Sequence, residues 1–294
     1  AKTSSPKKYN VTIKWDGSPA IFAGVDPKDG KFFVKTSESE WIADSVILAT
    51  GSYDLQTKPE FAQNLNPDVF QISSKSYKRP SDIPDGVCLV VGTGQSGVQM
   101  MEDLWIAGRE VRLCVGTAPR SPRIYRGRDA TDWLFEIGEY SKTIGEQPNP
   151  KLTESKTNHY LSGRNGGHEI DLREFALKGL KLYGSVCNMN ENLIQFKKDL
   201  NKNLDRADES YLRICKMIDD YIDKKNIDAP QKPLFEKKWL PEEEIEFLNI
   251  KKENITSILW CTGFKTDYSW LKIDCLDSTG RPIHQRGVSD EQGL

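Results

Sequence analysis

Apolar residues in this chain recur at two spacings, and each spacing predicts a different element. Between Tyr9 and Gly51 the period is two. Val11, Ile13 and Trp15 alternate with polar neighbours, Asp16-Gly17 and Asp29-Gly30 are hairpin signals, and Phe33 and Val34 begin a further strand. This stretch reads as a meander of strands. It ends in the apolar run Ser45 to Gly51 (SVILATG), which suits a strand buried on both faces. Residues 52–86 are rich in Pro, Asn, Ser, Asp and Lys and show no period, so they read as a connecting region. Next come an apolar run at Val87–Val91, a glycine-rich hexapeptide at Gly92–Gly97 (GTGQSG), and a helical pattern carried by Val98, Met101 and Trp105. Gly108 is placed as a stop, and a second apolar run spans Glu110–Val115. Together they predict a β-α-β unit. Residues 117–167 read as loop-rich and basic, Asp171–Gly179 as a short helix, and Pro230–Glu244 as a polar insertion. Leu204–Lys224 reads as a longer amphipathic helix with Leu204, Ala207, Tyr211, Cys215, Ile218 and Ile222 on one face. A last buried strand, Ile255–Gly263 (ITSILWCTG), again ends in glycine.

A chain of 294 residues with 37% hydrophobic, 10% aromatic and 29% charged residues has enough apolar content for one large or two ordinary globular domains. The formal net charge of −2 gives no global attraction to nucleic acid or an anionic membrane, so any anion site is local. The apolar runs are strand-length, far short of the roughly twenty residues of a membrane span. The polar, basic start, Ala1 to Lys8, has no apolar core of a secretory signal. Six scattered cysteines (Cys88, Cys114, Cys187, Cys215, Cys261, Cys275) without a Cys-x-x-Cys predict buried free thiols in a reducing, cytoplasmic compartment, and no metal site is expected. The chain opens on Ala1 directly before strand-like sequence and closes on Leu294 without a terminal cap, which reads as a fragment.

The glycines carry the chemistry. In Gly92-x-Gly94-x-x-Gly97 the first makes a tight turn, the second lets a pyrophosphate approach the backbone, and the third lets helix and strand pack closely. A helix starting near Ser96 aims unpaired N–H groups and its positive end at that pyrophosphate. Gly92, Thr93, Gly94, Gln95, Ser96 and Gly97 are therefore the candidate dinucleotide site. The second strand ends at Val115–Pro119 without the acidic residue that would hold a ribose 2′-hydroxyl. Instead Arg120, Arg123, Arg126 and Arg128 follow, and a guanidinium suits a 2′-phosphate, so NADP is favoured over NAD. Some of the four are expected to be solvated surface residues. His159, His168 and His284 are read as structural or exposed, and no catalytic side chain is singled out.

The segments GTGQSG (92–97), YRGRD (125–129), GGHEID (166–171) and LWCTGF (259–264) resemble those of the flavin-containing monooxygenase-like flavoproteins, from about Val11 to Leu294. The resemblance implies an α/β, two-dinucleotide (Rossmann-like) flavoprotein fold in which an NADP domain is inserted in an FAD domain. Residues 1–52 and 266–294 would be parts of the FAD domain, 53–85 a linker, and 86–265 the NADP domain. Ala49, Thr50 and Gly51, and Thr262, Gly263 and Phe264, match the family's chain crossings, which makes Thr50, Gly51, Thr262 and Gly263 candidate cofactor contacts. The family's reaction follows as an expectation: NADPH reduces FAD, and a C4a-hydroperoxyflavin formed with O₂ oxygenates a small organic substrate. The alternatives are an NADPH-dependent flavin reductase or dehydrogenase without oxygenation, and a non-catalytic nucleotide-binding fragment. The family's glycine fingerprint for the FAD pyrophosphate has no counterpart in this sequence, and neither has the Phe-x-Gly-x-x-x-His pattern of its Baeyer–Villiger members. No nucleic-acid partner is expected, because the arginines are grouped near one phosphate-sized site.

Overall fold

A computed structural model describes residues 22–25, 31–35, 39–43, 51, 53–147, 149–150, 157–271, 274–285 and 288. The chain divides into two compact units. One spans Lys58–Gly263, and the other takes in the chain up to Thr57 together with the chain from Phe264 onward.

In the second of these, β1 (Phe22–Val25), β2 (Phe32–Lys35) and β3 (Glu40–Ala43) form an antiparallel meander, with β2 containing the strand expected at Phe33 and Val34. The expected strands around Val11–Trp15 and Ser45–Thr50, and both hairpin turns, lie outside the described residues. A short pair, β4 (Leu55–Gln56) with β15 (Phe264–Lys265), runs antiparallel beside the edge-on rings of Tyr53 and Phe264.

In the Lys58–Gly263 unit, β5 (Phe70–Ser73), β6 (Val87–Val91), β7 (Val111–Cys114), β10 (Lys181–Tyr183) and β14 (Ile255–Trp260) make an all-parallel sheet in the order β10-β7-β6-β14-β5. Every residue of β6 and β7 is buried, because the sheet is covered on both faces. Side chains alternate between the layers. Cys88, Val90 and Leu113 face α1 (Gln95–Ile106) and the start of α4 (Leu200–Lys225). Val87, Leu89 and Val91 face a second sheet of β11 (Val186–Met189), β12 (Leu193–Phe196) and β13 (Phe247–Asn249). A satellite core joins the far half of α4 to α2 (Ala130–Ile137) around Trp133, Ile218 and Ile222. The hairpin β8 (Ile124–Tyr125) with β9 (Arg128–Asp129) precedes α2, and α3 (Leu172–Leu177) starts where the Asp171 side chain caps the Arg173 N–H.

Three sequence expectations change. Residues 52–86 are not merely connecting: Phe70–Ser73 is an edge strand paired along β14, and its mixed sequence reflects an edge position with one partner. The basic stretch 117–167 contains α2, with Asp129 accepting from the Thr131 N–H at its start and Gly138 in the left-handed region at its end. The amphipathic helix is longer than its apolar stripe predicts. It begins at Leu200, where the Glu244 carboxylate accepts from the N–H groups of Leu200 and Asn201, and closes at Asn226 with φ 51°. Residues 230–244, read as an insertion, run without regular structure back along α4. Lys232 pairs with Asp219, Lys237 with Asp205 and Lys238 with Glu174.

Candidate functional site

β6 is flanked by β7 on one side and β14 on the other, so the chain leaving its carboxyl end enters the crevice where the direction of winding reverses, the usual ligand position in an open α/β sheet. Gly92–Gly97 occupies that position. Gly92 has φ 107°, and a Cβ there would stand 2.5 Å from the carbonyl oxygen of Cys261 at the end of β14. A Cβ on Gly97 would overlap the Gly92 carbonyl. Both glycines are thus required by close backbone packing.

Gly94 differs. It is the N-cap of α1, with no side-chain cap, and among the described residues only the Thr157 Cγ2 atom lies within 4 Å of its Cβ position, at 4.0 Å. The first N–H groups of α1 therefore meet open space beside a residue without a side chain, which is a cradle shaped for a pyrophosphate. A dinucleotide fits it.

The side chains within the motif point to other tasks. Thr93 is buried, and its hydroxyl accepts from the Gly116 N–H, tying the loop to the exit of β7. Gln95 forms a two-way pair with the backbone of one residue: its amide donates to the Leu161 carbonyl at 2.6 Å and accepts from the Leu161 N–H at 3.0 Å. Gln99 donates to the same carbonyl, Glu102 takes the Ser162 hydroxyl and lies 2.6 Å from His168 Nε2, and Asp103 pairs with Arg164. A polar stripe along α1 thus holds residues 161–168. No sequence period announces this stripe, although Gln, Gln, Glu and Asp at helical spacing on an otherwise buried helix is a signal in retrospect. Ser96 is half-buried.

The structure does not gather the four arginines at one anion. Arg120 is 4% exposed and spans Asp171 at 3.0 Å and Asp208 at 2.9 Å, with its guanidinium over the Tyr211 ring. Burial opposes its charge, but the two carboxylates more than restore it and raise its pKa. Arg126 pairs with Asp219, which also receives the Tyr125 hydroxyl. Arg123 pairs with Asp129, and Arg128 pairs with Glu136 above the Trp133 ring. Arg123 and Arg128 keep side-chain exposures of 31% and 40%, which leaves them accessible to a ligand in a way Arg120 is not. The expectation of a common phosphate therefore fails for Arg120, whose charge is matched inside the protein.

Near the unit boundaries, Gly51 (φ 80°) and Gly263 (φ 91°) each have no atom of a described residue within 4 Å of a Cβ position, Thr262 is half-buried, and Thr50 lies outside the described residues. All six cysteines are free, and burial pushes the Cys88 thiol up to about 11. His159 Nε2 lies 3.0 Å from the Ser210 hydroxyl. Among the described residues no group of three or more potential ligands is placed to hold a metal, and no helix is long and apolar enough to cross a membrane.

The strand, glycine loop and helix define a Rossmann-type β-α-β unit in an α/β fold. Comparison with known proteins then narrows the class. The profile of the L-lysine 6-monooxygenase/L-ornithine 5-monooxygenase family matches residues 24–148, and that of a family of unknown function matches residues 1–38. The chain is 28% identical over 269 residues, 91% of its length, to "Uncharacterized oxidoreductase CzcO-like" of Geobacillus kaustophilus. It is 24% identical over 268 residues, 90% of its length, to "Uncharacterized oxidoreductase CzcO" of Bacillus subtilis. A solved flavin-containing monooxygenase from Stenotrophomonas maltophilia aligns with 91% of this chain and 57% of its own, at a TM-score of 0.48 and 13% identity. The chain is thus similar in sequence to curated oxidoreductases over nine-tenths of its length and, over residues 24–148, to the L-lysine 6-monooxygenase/L-ornithine 5-monooxygenase family. It spans 60% of the length of the two curated relatives.

Proposed function

We propose that the Lys58–Gly263 unit binds NADPH, with the pyrophosphate on the Gly92–Gly97 loop, and that it serves an FAD-dependent oxidoreductase of the monooxygenase type acting on a small organic substrate with O₂. The observation that carries this reading is the open, uncapped start of α1 at Gly94, between two glycines that the fold itself requires. When bound, NADPH supplies a hydride and FAD the chemistry with O₂. The chain's own contribution is placement. Backbone N–H groups of Gln95 to Gly97 face the phosphates, and Gly92 and Gly97 fix the loop's distance from β14. The β7 exit at Val115–Pro119 presents no carboxylate to a 2′-phosphate. Arg123 and Arg128 are the candidates to bind that phosphate, since their guanidinium groups reach solvent. Gly51 and Gly263, with no described atom within 4 Å of a Cβ position, and Thr262 beside them in sequence are the candidate flavin contacts within the described residues.

The test is calorimetric titration of the chain with NADPH, NADH and FAD, with the visible spectrum recorded alongside. Tighter binding of NADPH than NADH supports the assignment. A flavin reoxidised by O₂ with stoichiometric hydrogen peroxide and no oxygenated product would assign a reductase instead, and binding of neither nucleotide would remove the reading.

A further inference from the structure

Among the described residues the open side of the Gly94 cradle has one neighbour, and it comes from a distant part of the chain. Thr157 is exposed, its Cγ2 atom is 4.0 Å from the Cβ position of Gly94, and that position is where the proposed pyrophosphate would pass. Four residues on, the Leu161 backbone is gripped through both its N–H and its carbonyl by Gln95, the first residue of α1, and again by Gln99. A side-chain amide that satisfies both the N–H and the carbonyl of one residue pins the backbone on either side of that residue.

We propose that residues 157–168 form a strap over the nucleotide cradle, in which the Thr157 hydroxyl binds the cofactor pyrophosphate and Gln95 is the positioning residue that sets the strap's distance from the glycine loop. This deepens the dinucleotide-binding reading and rests on it. The assignment changes the task given to Gln95 by the glycine motif alone: its side chain acts on the phosphates through the Leu161 backbone, not by contact. Because Ser162 and His168 are held by the buried Glu102, and Arg164 by Asp103, the strap is anchored beyond Leu161.

The experiment compares NADPH and NADH affinity, by calorimetry, in the unmodified chain and in the Thr157→Val, Thr157→Ser, Gln95→Met and Gly94→Val variants, with thermal melting as a check on folding. Alongside, trypsin cleavage after Arg164 is followed with and without NADP⁺. Thr157→Val keeps the volume and removes the hydroxyl, so both cofactors should weaken about tenfold and equally, since the pyrophosphate is common to them. Thr157→Ser should restore most of the affinity. Gln95→Met should weaken binding with unchanged melting and should speed cleavage at Arg164, and NADP⁺ should slow that cleavage in the unmodified chain. Wild-type affinity in Thr157→Val, with binding abolished in Gly94→Val, overturns the strap and leaves the cradle standing. Undiminished binding in Gly94→Val overturns both.

Discussion

Gly97 lies so close to the carbonyl oxygen of Gly92 that a methyl group has no room between them, whereas Gly94, in the same loop, faces open space. The two positions therefore separate folding from binding. Gly97→Ala should cost about 1–3 kcal/mol of stability by overpacking, visible as a lower Tm, because the neighbour is backbone and cannot rotate away. Gly94→Ala should melt like the parent chain, since Gly94 has φ −62°, which any residue adopts. Its nucleotide affinity should nevertheless fall, because the methyl group projects into the cradle. Equal melting of the two variants would contradict this packing.

Arg120 gives the second prediction. Replacing it with methionine leaves nearly buried Asp171 without its cation and Asp208 with Arg173 alone. Removing one partner from a buried ion group costs about 3–5 kcal/mol. Arg120→Met should thus be strongly destabilised while its ratio of NADPH to NADH affinity stays unchanged. Arg123→Gln should remain folded and lose roughly 1–3 kcal/mol of NADPH affinity while sparing NADH, as a lost charge-assisted bond requires. Equal losses for both cofactors would take Arg123 out of the 2′-phosphate site.

The contrast between these arginines shows what the sequence can disclose. The β6-loop-α1-β7 unit was legible because its determinants are local: a five-residue apolar run, three glycines at fixed spacing and a helical apolar face, with each element contacting the next in order. The long amphipathic helix was legible for the same reason, apart from its first turn, whose cap comes from Glu244. Phe70–Ser73 was not legible, because its only sheet partner among the described residues is β14, far along the chain, and an edge strand needs no continuous apolar run. Nor could the role of Arg120 be read, since Asp171 and Asp208 approach it through tertiary folding alone. The α2 helix was a missed local signal, with Asp129 capping its start and Gly138 its end. The strap over α1 lies between these cases: its anchors Gln95, Gln99 and Glu102 share one helical face, but their partners are visible only in the folded chain.

Asp219 links α4, the β8–β9 hairpin and the segment that follows α4, through Tyr125, Arg126 and Lys232. Burial opposes its charge, but the hydrogen bonds from Lys232, Tyr125 and Arg126 prevail and hold its carboxyl below the usual range. A carboxylate depressed in the folded state contributes stability that is present above its unfolded pKa, about 3.9, and is lost as pH falls through the folded value. Asp219→Asn should therefore be less stable at neutral pH, and the gap to the parent chain should narrow below about pH 4. Parallel acid-denaturation curves for the two proteins would show that Asp219 contributes nothing to this pH dependence.

The cysteines set the opposite, alkaline limit. Burial raises the Cys88 thiol to about 11, with the nearby Ser257 and Arg109 lowering it only in part, and burial raises the Cys215 thiol to about 12. A thiol whose folded pKa lies above its unfolded value, about 8.5, favours folding fully below that value, and this contribution is lost as pH rises towards the folded pKa. Stability should accordingly decline between about pH 8.5 and 11, and Cys88→Ala should flatten part of the decline at the cost of a small cavity. Because the thiolate is the reactive form, a disulfide reagent at pH 8 should label half-buried Cys187 first and leave Cys88, Cys114, Cys215 and Cys261 unmodified until denaturant is added. Rapid labelling of Cys261 in the native protein would mean that the packing of Gly92 and Gly97 against the end of β14 opens readily, and would undercut the rigid cradle on which nucleotide binding is argued.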